Sequence, residues 1–205
     1  MNAIETVALA KHFGRKTVLA GLDLAVPEGA VYGLIGLNGT GKTTTLKILL
    51  NILAPTGGRA AVLGRDSRRL GAADLTEIGY VSENQQQPDW MTAGDLFAYL
   101  RPFYPAWDGE LERRLLAQMD LPLDRRLRDL SRGMRMKVAL VSSLAYRPRL
   151  LVLDEPFSGL DPLVRDEVIE ALLELAGETT ILVSSHDLAE MESFASHIGF
   201  LEEGR

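Results

Sequence analysis

The sequence contains no cysteine. Disulfide bonds and thiolate chemistry are therefore excluded, and a reducing compartment is expected. It also lacks any apolar run approaching the roughly 18 residues that a membrane-spanning helix needs. The opening stretch MNAIETVALAKHF carries charges among its apolar residues and has no secretory apolar core. The chain is accordingly expected to be soluble, without direct membrane insertion, so that any membrane role comes through a partner. An excess of positive charge is missing too. The formal net charge is −6, whereas nucleic-acid binders usually present a net basic face, so no nucleic-acid partner is expected. Basic residues do cluster in Arg65–Arg69 and Arg125–Lys137, a pattern that a solvated face accounts for. No internal repeat and no long heptad run is evident, which argues against solenoids and coiled coils.

What is present fits one domain of 205 residues, 46% hydrophobic and 24% charged, long enough to bury a proper core. Short apolar strands are expected at Ile4–Leu9, Leu22–Val26 and Ala30–Ile35, with Pro27-Glu28-Gly29 as a turn. A helix is expected over Lys42–Leu53, ended by Pro55 and Gly57-Gly58. After a buried strand at Ile78–Val81 the pattern turns helical, with Thr92 and Asp95 as a capping box and Asp108 capping a second helix. These helices form an expected insertion over residues 84–147. Leu150–Leu153 reads as a strand buried on both faces. Asp161-Pro162 then gives an N-cap and a first-turn proline for a helix to about Leu175. Strand Thr179–Ser184, helix Leu188–Phe194 and strand Ile198–Leu201 complete an α/β pattern with a mainly parallel sheet.

Residues 36–43, GLNGTGKT, fit G-x-x-x-x-G-K-[ST] between a strand and a helix. In such a P-loop the Asn38, Gly39, Thr40 and Gly41 backbone can curl around phosphate oxygens, at a helix start that favours anions. Lys42 can reach the β- and γ-phosphates, Thr43 can ligate Mg²⁺, and Thr44 continues the cradle. The run LLVLDE ejects Asp154 and Glu155 at the end of a buried strand, where parallel-sheet ligands bind. Asp154 suits a Mg²⁺ contact, directly or through water, and Glu155 suits a general base on the attacking water.

Together these residues resemble the ATP-binding-cassette (ABC) ATPases, and the resemblance covers essentially the whole chain. Ser158-Gly-Leu-Asp161 is similar to that family's D-loop, and Asp161 serves equally as a helix cap. His186, in VSSHD, stands where the family carries its switch histidine, whereas His12 and His197 match no motif. Phe13 matches the aromatic that stacks on adenine, although alone it reads as a core residue. Leu130-Ser131-Arg132-Gly133-Met134 looks like the signature, written most often LSGGQ. Ser131 and Gly133 are retained for phosphate binding, while Arg132 and Met134 depart from the common form.

The same resemblance resolves the odd stretch IGYVSENQQQPDW at 78–90, which alone reads either as a linker or as a site. Glu83 takes the position of the family's Q-loop glutamine, near Mg²⁺ and the attacking water, and Gln85 is the alternative. Glutamate keeps an oxygen acceptor but loses the N–H₂ donor. Trp90 is either an anchor for a partner helix or a packing residue, and an apolar groove is expected around Trp90, Phe97 and Phe103.

The resemblance implies a P-loop NTPase fold with an N-terminal antiparallel β part and a helical subdomain carrying the signature. It implies ATP and Mg²⁺ as ligands and two cassettes, identical or related, pairing head to tail around two ATP. It further implies a separate membrane permease, transport in the direction of export, and a place at the cytoplasmic face of the membrane. Two other functions stay open: a soluble ABC ATPase acting on DNA or ribosomes, and a nucleotide-binding partner that does not hydrolyse. The chain stops at Glu203-Gly-Arg205, which suits either a minimal cassette or a shortened one.

Overall fold

The computed structural model of the chain describes residues 1–83 and 85–205, so Asn84, with which the expected insertion begins, lies outside the described residues. The chain opens with strands β1 (Asn2–Phe13), β2 (Lys16–Pro27) and β3 (Val31–Ile35), and then helix α1 (Lys42–Leu49). Strands β4 (Gly57–Val62) and β5 (Arg65–Asp66) follow, then α2 (Ala72–Leu75) and β6 (Ile78–Ser82). Helices α3 (Ala93–Leu100), α4 (Gly109–Gln118) and α5 (Arg132–Leu144) precede β7 (Leu150–Asp154). Helix α6 (Pro162–Glu174), β8 (Thr180–Ser185), α7 (Leu188–Glu192) and β9 (His197–Phe200) complete it.

Two sheets result. A four-stranded sheet has the order β2-β1-β4-β5, with antiparallel pairings throughout. A five-stranded sheet has the order β6-β7-β8-β3-β9, and every pairing in it is parallel. Strand β7 is buried at every position, as its continuous apolar run requires. Two buried clusters lie among the described residues. One lies among the antiparallel sheet, α1 and one face of the parallel sheet, with Ile4, Leu46, Val62, Leu150 and Leu182 in it. The other joins the opposite face to the helices, so that Leu111, Leu115 and Phe97 share a core with Leu151, Leu153 and Val183.

The local end signals hold. Thr92 and Asp95 form the capping box of α3. Asp108 accepts from the amides of Glu110 and Leu111 at the start of α4, and Asp161 accepts from Val164 N–H with Pro162 opening α6. Several expectations are corrected. Helix α1 ends at Leu49, where the 3.6-residue pattern gives way to Asn51 with φ +56. Gly57-Gly58 opens strand β4 rather than merely ending a helix, because β1 offers it a partner from Ile4 to Ala10. Strands β1 and β2 extend well beyond the expected apolar runs, since cross-strand pairing carries their polar residues along. Helix α7 ends at Glu192, two positions before the expected Phe194, which packs edge-on against Phe157.

Side-chain placement brings further corrections. Phe97 is only 1% exposed and belongs to the core, so it lines no groove, while Trp90 and Phe103 are exposed. The basic run Arg125–Lys137 is not wholly solvated either. Lys137 is buried, donating to the Met119 carbonyl at 3.0 Å and pairing with Glu167 of α6. The cluster at Arg65–Arg69 does face solvent, with Arg65 on Asp74 and Arg68 on Asp66. His12 bonds Thr17, and His197 stacks on Tyr32.

Candidate functional site

The parallel register fixes what meets at the C-terminal edge of the sheet. Ser82 pairs with Asp154, and Asp154 with Ser184. Ser184 in turn pairs with Leu34. The next residue on each strand leaves the sheet on this same edge: Glu83 from β6, Glu155 from β7 and Gly36 from β3, with His186 one step beyond Ser185. The ladder continues past the strands, with Glu83 N–H donating to the Asp154 carbonyl at 3.0 Å and Gly36 N–H to the Ser185 carbonyl at 3.2 Å. Residues distant in sequence thus reach one edge by backbone geometry alone.

The loop between β3 and α1 is held by its own lysine. Lys42 is 5% exposed, donates to the carbonyls of Gly36 and Leu37, and lies 3.0 Å from Glu155 Oε1. Gly41 sits at φ 114 immediately before the helix, and a Cβ there would lie 2.7 Å from Leu19 Cδ2. Only glycine takes this backbone without strain. Thr40 Oγ1 closes the loop by donating to the Leu37 carbonyl at 2.9 Å, while Asn38 and Gly39 are exposed and Thr44 is half-buried. Strand β2 passes Gly41 at Val18 and Leu19, and Phe13 pairs with Lys16 just before them in the β1–β2 hairpin. Phe13 is 49% exposed with the Lys11 ammonium 4.9 Å from its ring centre.

Asp154 is buried, and its Oδ1 accepts from Thr43 Oγ1 at 3.0 Å and from Ser184 Oγ at 2.7 Å. Glu155 adopts φ +51, unusual for a residue with a Cβ, and its N–H donates to Ser184 Oγ at 3.1 Å. That backbone costs about 1–2 kcal/mol and turns the carboxylate toward Lys42 on one side and His186 on the other. His186 Nδ1 is 2.8 Å from Glu155 Oε2. The Glu155 hydrogen bond and charge raise the histidine's pKa above the usual imidazole value, opposed by partial burial and, last, by the Lys42 charge. Ser184, wholly buried, is the residue that sequence reasoning missed. It links both carboxylate positions, and the available signal was a polar pair interrupting the apolar run of β8 just before His186.

The remaining candidates are placed less simply. Ser131 Oγ accepts from Met134 N–H at 3.2 Å, so it caps α5. Gly133 is buried where α5 meets α6, and a Cβ there would lie 3.0 Å from Val164 Cγ1. Its lack of a side chain therefore serves helix packing in this chain. The Glu83 carboxylate accepts from Arg132 and Ser158 rather than turning to Thr43 or Asp154.

All side-chain donors beside Asp154 are oxygens, and among the described residues no group of three or more His, Cys, Asp or Glu could hold a metal alone. Such a set fits a hard divalent cation whose remaining ligands are phosphate and water oxygens. No helix among the described residues is long and apolar enough to cross a membrane.

Known proteins resemble this chain in sequence and in fold. The family model for ABC transporters matches residues 19–158. The daunorubicin resistance ATP-binding protein DrrA2 of Streptomyces coeruleorubidus is 38% identical over 99% of this chain and 65% of its own length. The Nod factor export ATP-binding protein I of Paraburkholderia xenovorans is 35% identical over 99% of this chain and 69% of its own length. The solved ATP-binding subunit of an ABC transporter superposes with a TM-score of 0.87 at 30% identity, covering 99% of this chain and 87% of that one. The chain spans about half to two thirds of the length of several curated relatives, 53% in one case and 65% in another.

Proposed function

The chain belongs to the ABC transporter family of ATP-binding proteins, and on that premise we propose that it binds and hydrolyses ATP to drive a separate membrane permease, in the direction of export. The observation that carries this reading is the contact series Lys42–Glu155–His186 beside Thr43–Asp154 at one sheet edge. In this reading residues 1–83 and 148–205 form the nucleotide-binding core of a single cassette, and residues 84–147 form the helical part that carries the signature.

Phe13 stacks on the adenine, and the Asn38–Thr44 loop receives the phosphates with its backbone amides. Lys42, now satisfied by loop carbonyls, turns its ammonium to the β- and γ-phosphates. Thr43 and Asp154, with Glu83 as a third candidate, would hold Mg²⁺, which offsets phosphate charge when bound. Water attacks the γ-phosphorus as the bond to the β–γ bridging oxygen breaks, and Glu155 takes the water's proton. His186, fixed by Glu155, is poised to contact the γ-phosphate. Ser131, Gly133 and Asp161 act across a head-to-tail pair of cassettes, each signature closing the other's nucleotide site. The cassette then sits peripherally at the cytoplasmic face of the membrane.

The names of the relatives support export, and the apposition of Glu155 and His186 counts against a partner that binds nucleotide without hydrolysing it. Glu155→Gln tests the reading. The variant is expected to bind ATP, to hydrolyse it at least 100-fold more slowly, in the range seen when a general base is removed, and to accumulate as a dimer. Hydrolysis at the wild-type rate would remove Glu155 from this role.

A further inference from the structure

Two side chains at which this sequence departs from the usual motifs hold each other. Arg132 Nη2 donates to Glu83 Oε1 at 2.7 Å, and Ser158 Oγ donates to the same oxygen at 2.9 Å. The three residues are far apart in the chain, with 49 and 75 positions separating Glu83 from Arg132 and Ser158. They represent the end of β6, the first residue of α5 and the loop after β7.

The contact is packed as well as charged. Gly159 has φ +66, and a Cβ built there would lie 2.6 Å from Arg132 Nη1. The guanidinium thus rests over the loop backbone in space that only glycine leaves open. Glu83 is also tied to the metal candidate from behind, through its N–H on the Asp154 carbonyl. On its other flank lies a groove of about 570 Å³ lined by Gln85, Gln87, Asp89 and Arg135.

We propose that Glu83, Arg132 and Ser158 form a clasp that pins the start of α5 to the nucleotide-binding edge in the free chain, and that bound nucleotide competes with it. The glutamate and the arginine are compensating residues, each neutralising a charge that the other would leave open. The competition half rests on the functional reading above, in which Glu83 is a candidate for the metal and the signature segment at the start of α5 closes a partner's nucleotide site. Opening of the α5 start in the free chain is then governed by the clasp, and nucleotide must displace it before the signature segment can move.

Hydrogen exchange at residues 131–135 and 156–160 tests both halves. In nucleotide-free protein, Glu83→Gln and Arg132→Gln are each expected to speed exchange there about three- to fivefold, as for a half-exposed pair. The double variant should exchange no faster than either single one, and the exchanged pair Glu83→Arg with Arg132→Glu should recover protection. Multiplying effects in the double variant, or unchanged exchange in both single variants, would overturn the clasp. In a Glu155→Gln background, saturating Mg²⁺–ATP should erase the difference between the intact pair and Arg132→Gln. Persistence of that difference with nucleotide bound overturns the competition. Absence of any binding of a fluorescent ATP analogue would overturn the functional reading and the competition with it, while the nucleotide-free comparison decides the clasp by itself.

Discussion

Replacing Ser184 by alanine removes one oxygen that serves two partners. The hydroxyl donates to Asp154 Oδ1 at 2.7 Å and accepts from Glu155 N–H at 3.1 Å. The amide keeps a second acceptor, the Ser184 carbonyl at 3.2 Å, so it is not orphaned. The loss is therefore dominated by the bond to a buried carboxylate, which retains only the Thr43 hydroxyl on that oxygen. A hydrogen bond to a charged group is worth about 1.5–3 kcal/mol. Ser184→Ala should lower unfolding stability by that amount, with the urea midpoint falling and the slope unchanged. For a chain of this size the melting temperature should drop by roughly 3–12 °C. Ser142→Ala is the matched control. Its hydroxyl is also buried, but it donates at 2.8 Å to the Ala139 carbonyl within α5. Helical back-bonding of that kind contributes little, so a change below about 0.5 kcal/mol is expected there. If the two alanine variants lose equal stability, the Asp154 bond is not the cause and the reasoning fails.

The pH dependence of His186 follows from its partner. Its folded pKa is raised, chiefly by Glu155, so the pairing stabilises the fold fully below the ordinary imidazole value of about 6.5. That contribution is lost as pH rises through the folded pKa. An NMR titration should place the midpoint above 6.5, and Glu155→Gln should return it toward the ordinary value. Gly133→Ala would bring a Cβ to 3.0 Å from Val164 Cγ1; it should destabilise by about 1–3 kcal/mol, with Val164→Ala restoring most of the loss in a denaturation series. Lys137→Ala strips the Met119 carbonyl of its donor and Glu167 of its cation. A loss of about 1–3 kcal/mol is expected, and a variant as stable as wild type would place the α5–α6 link elsewhere.

How far the sequence could be read depended on the range of the interaction. Helix caps at Thr92, Asp108 and Asp161 were legible because each bond spans two or three residues. Strand β4 was not, because GGRAAV has weak strand character of its own and is drawn into place by β1, some fifty residues earlier in the chain. The site candidates divide in the same way. Lys42, Thr43, Asp154 and Glu155 announce themselves by local pattern, a glycine-rich loop before a helix and carboxylates ending an apolar strand. Ser184 does not, because nothing in VSS says which serine lies opposite Asp154 until the β7–β8 register is set.

The sequence by itself determined the strand-and-helix alternation, the phosphate-binding loop and the residue types available for chemistry. Those are consequences of neighbouring residues, of glycine's backbone freedom and of the burial of short apolar runs. Only the tertiary structure decided where the departures from pattern point. Glu83 lies against Arg132 and Ser158 instead of Thr43 or Asp154, and Gly133 makes room for Val164. The first needs the start of α5 to meet the sheet edge where the parallel register sets Glu83 beside Asp154, and the second needs α5 packed on α6; neither partner is near in sequence.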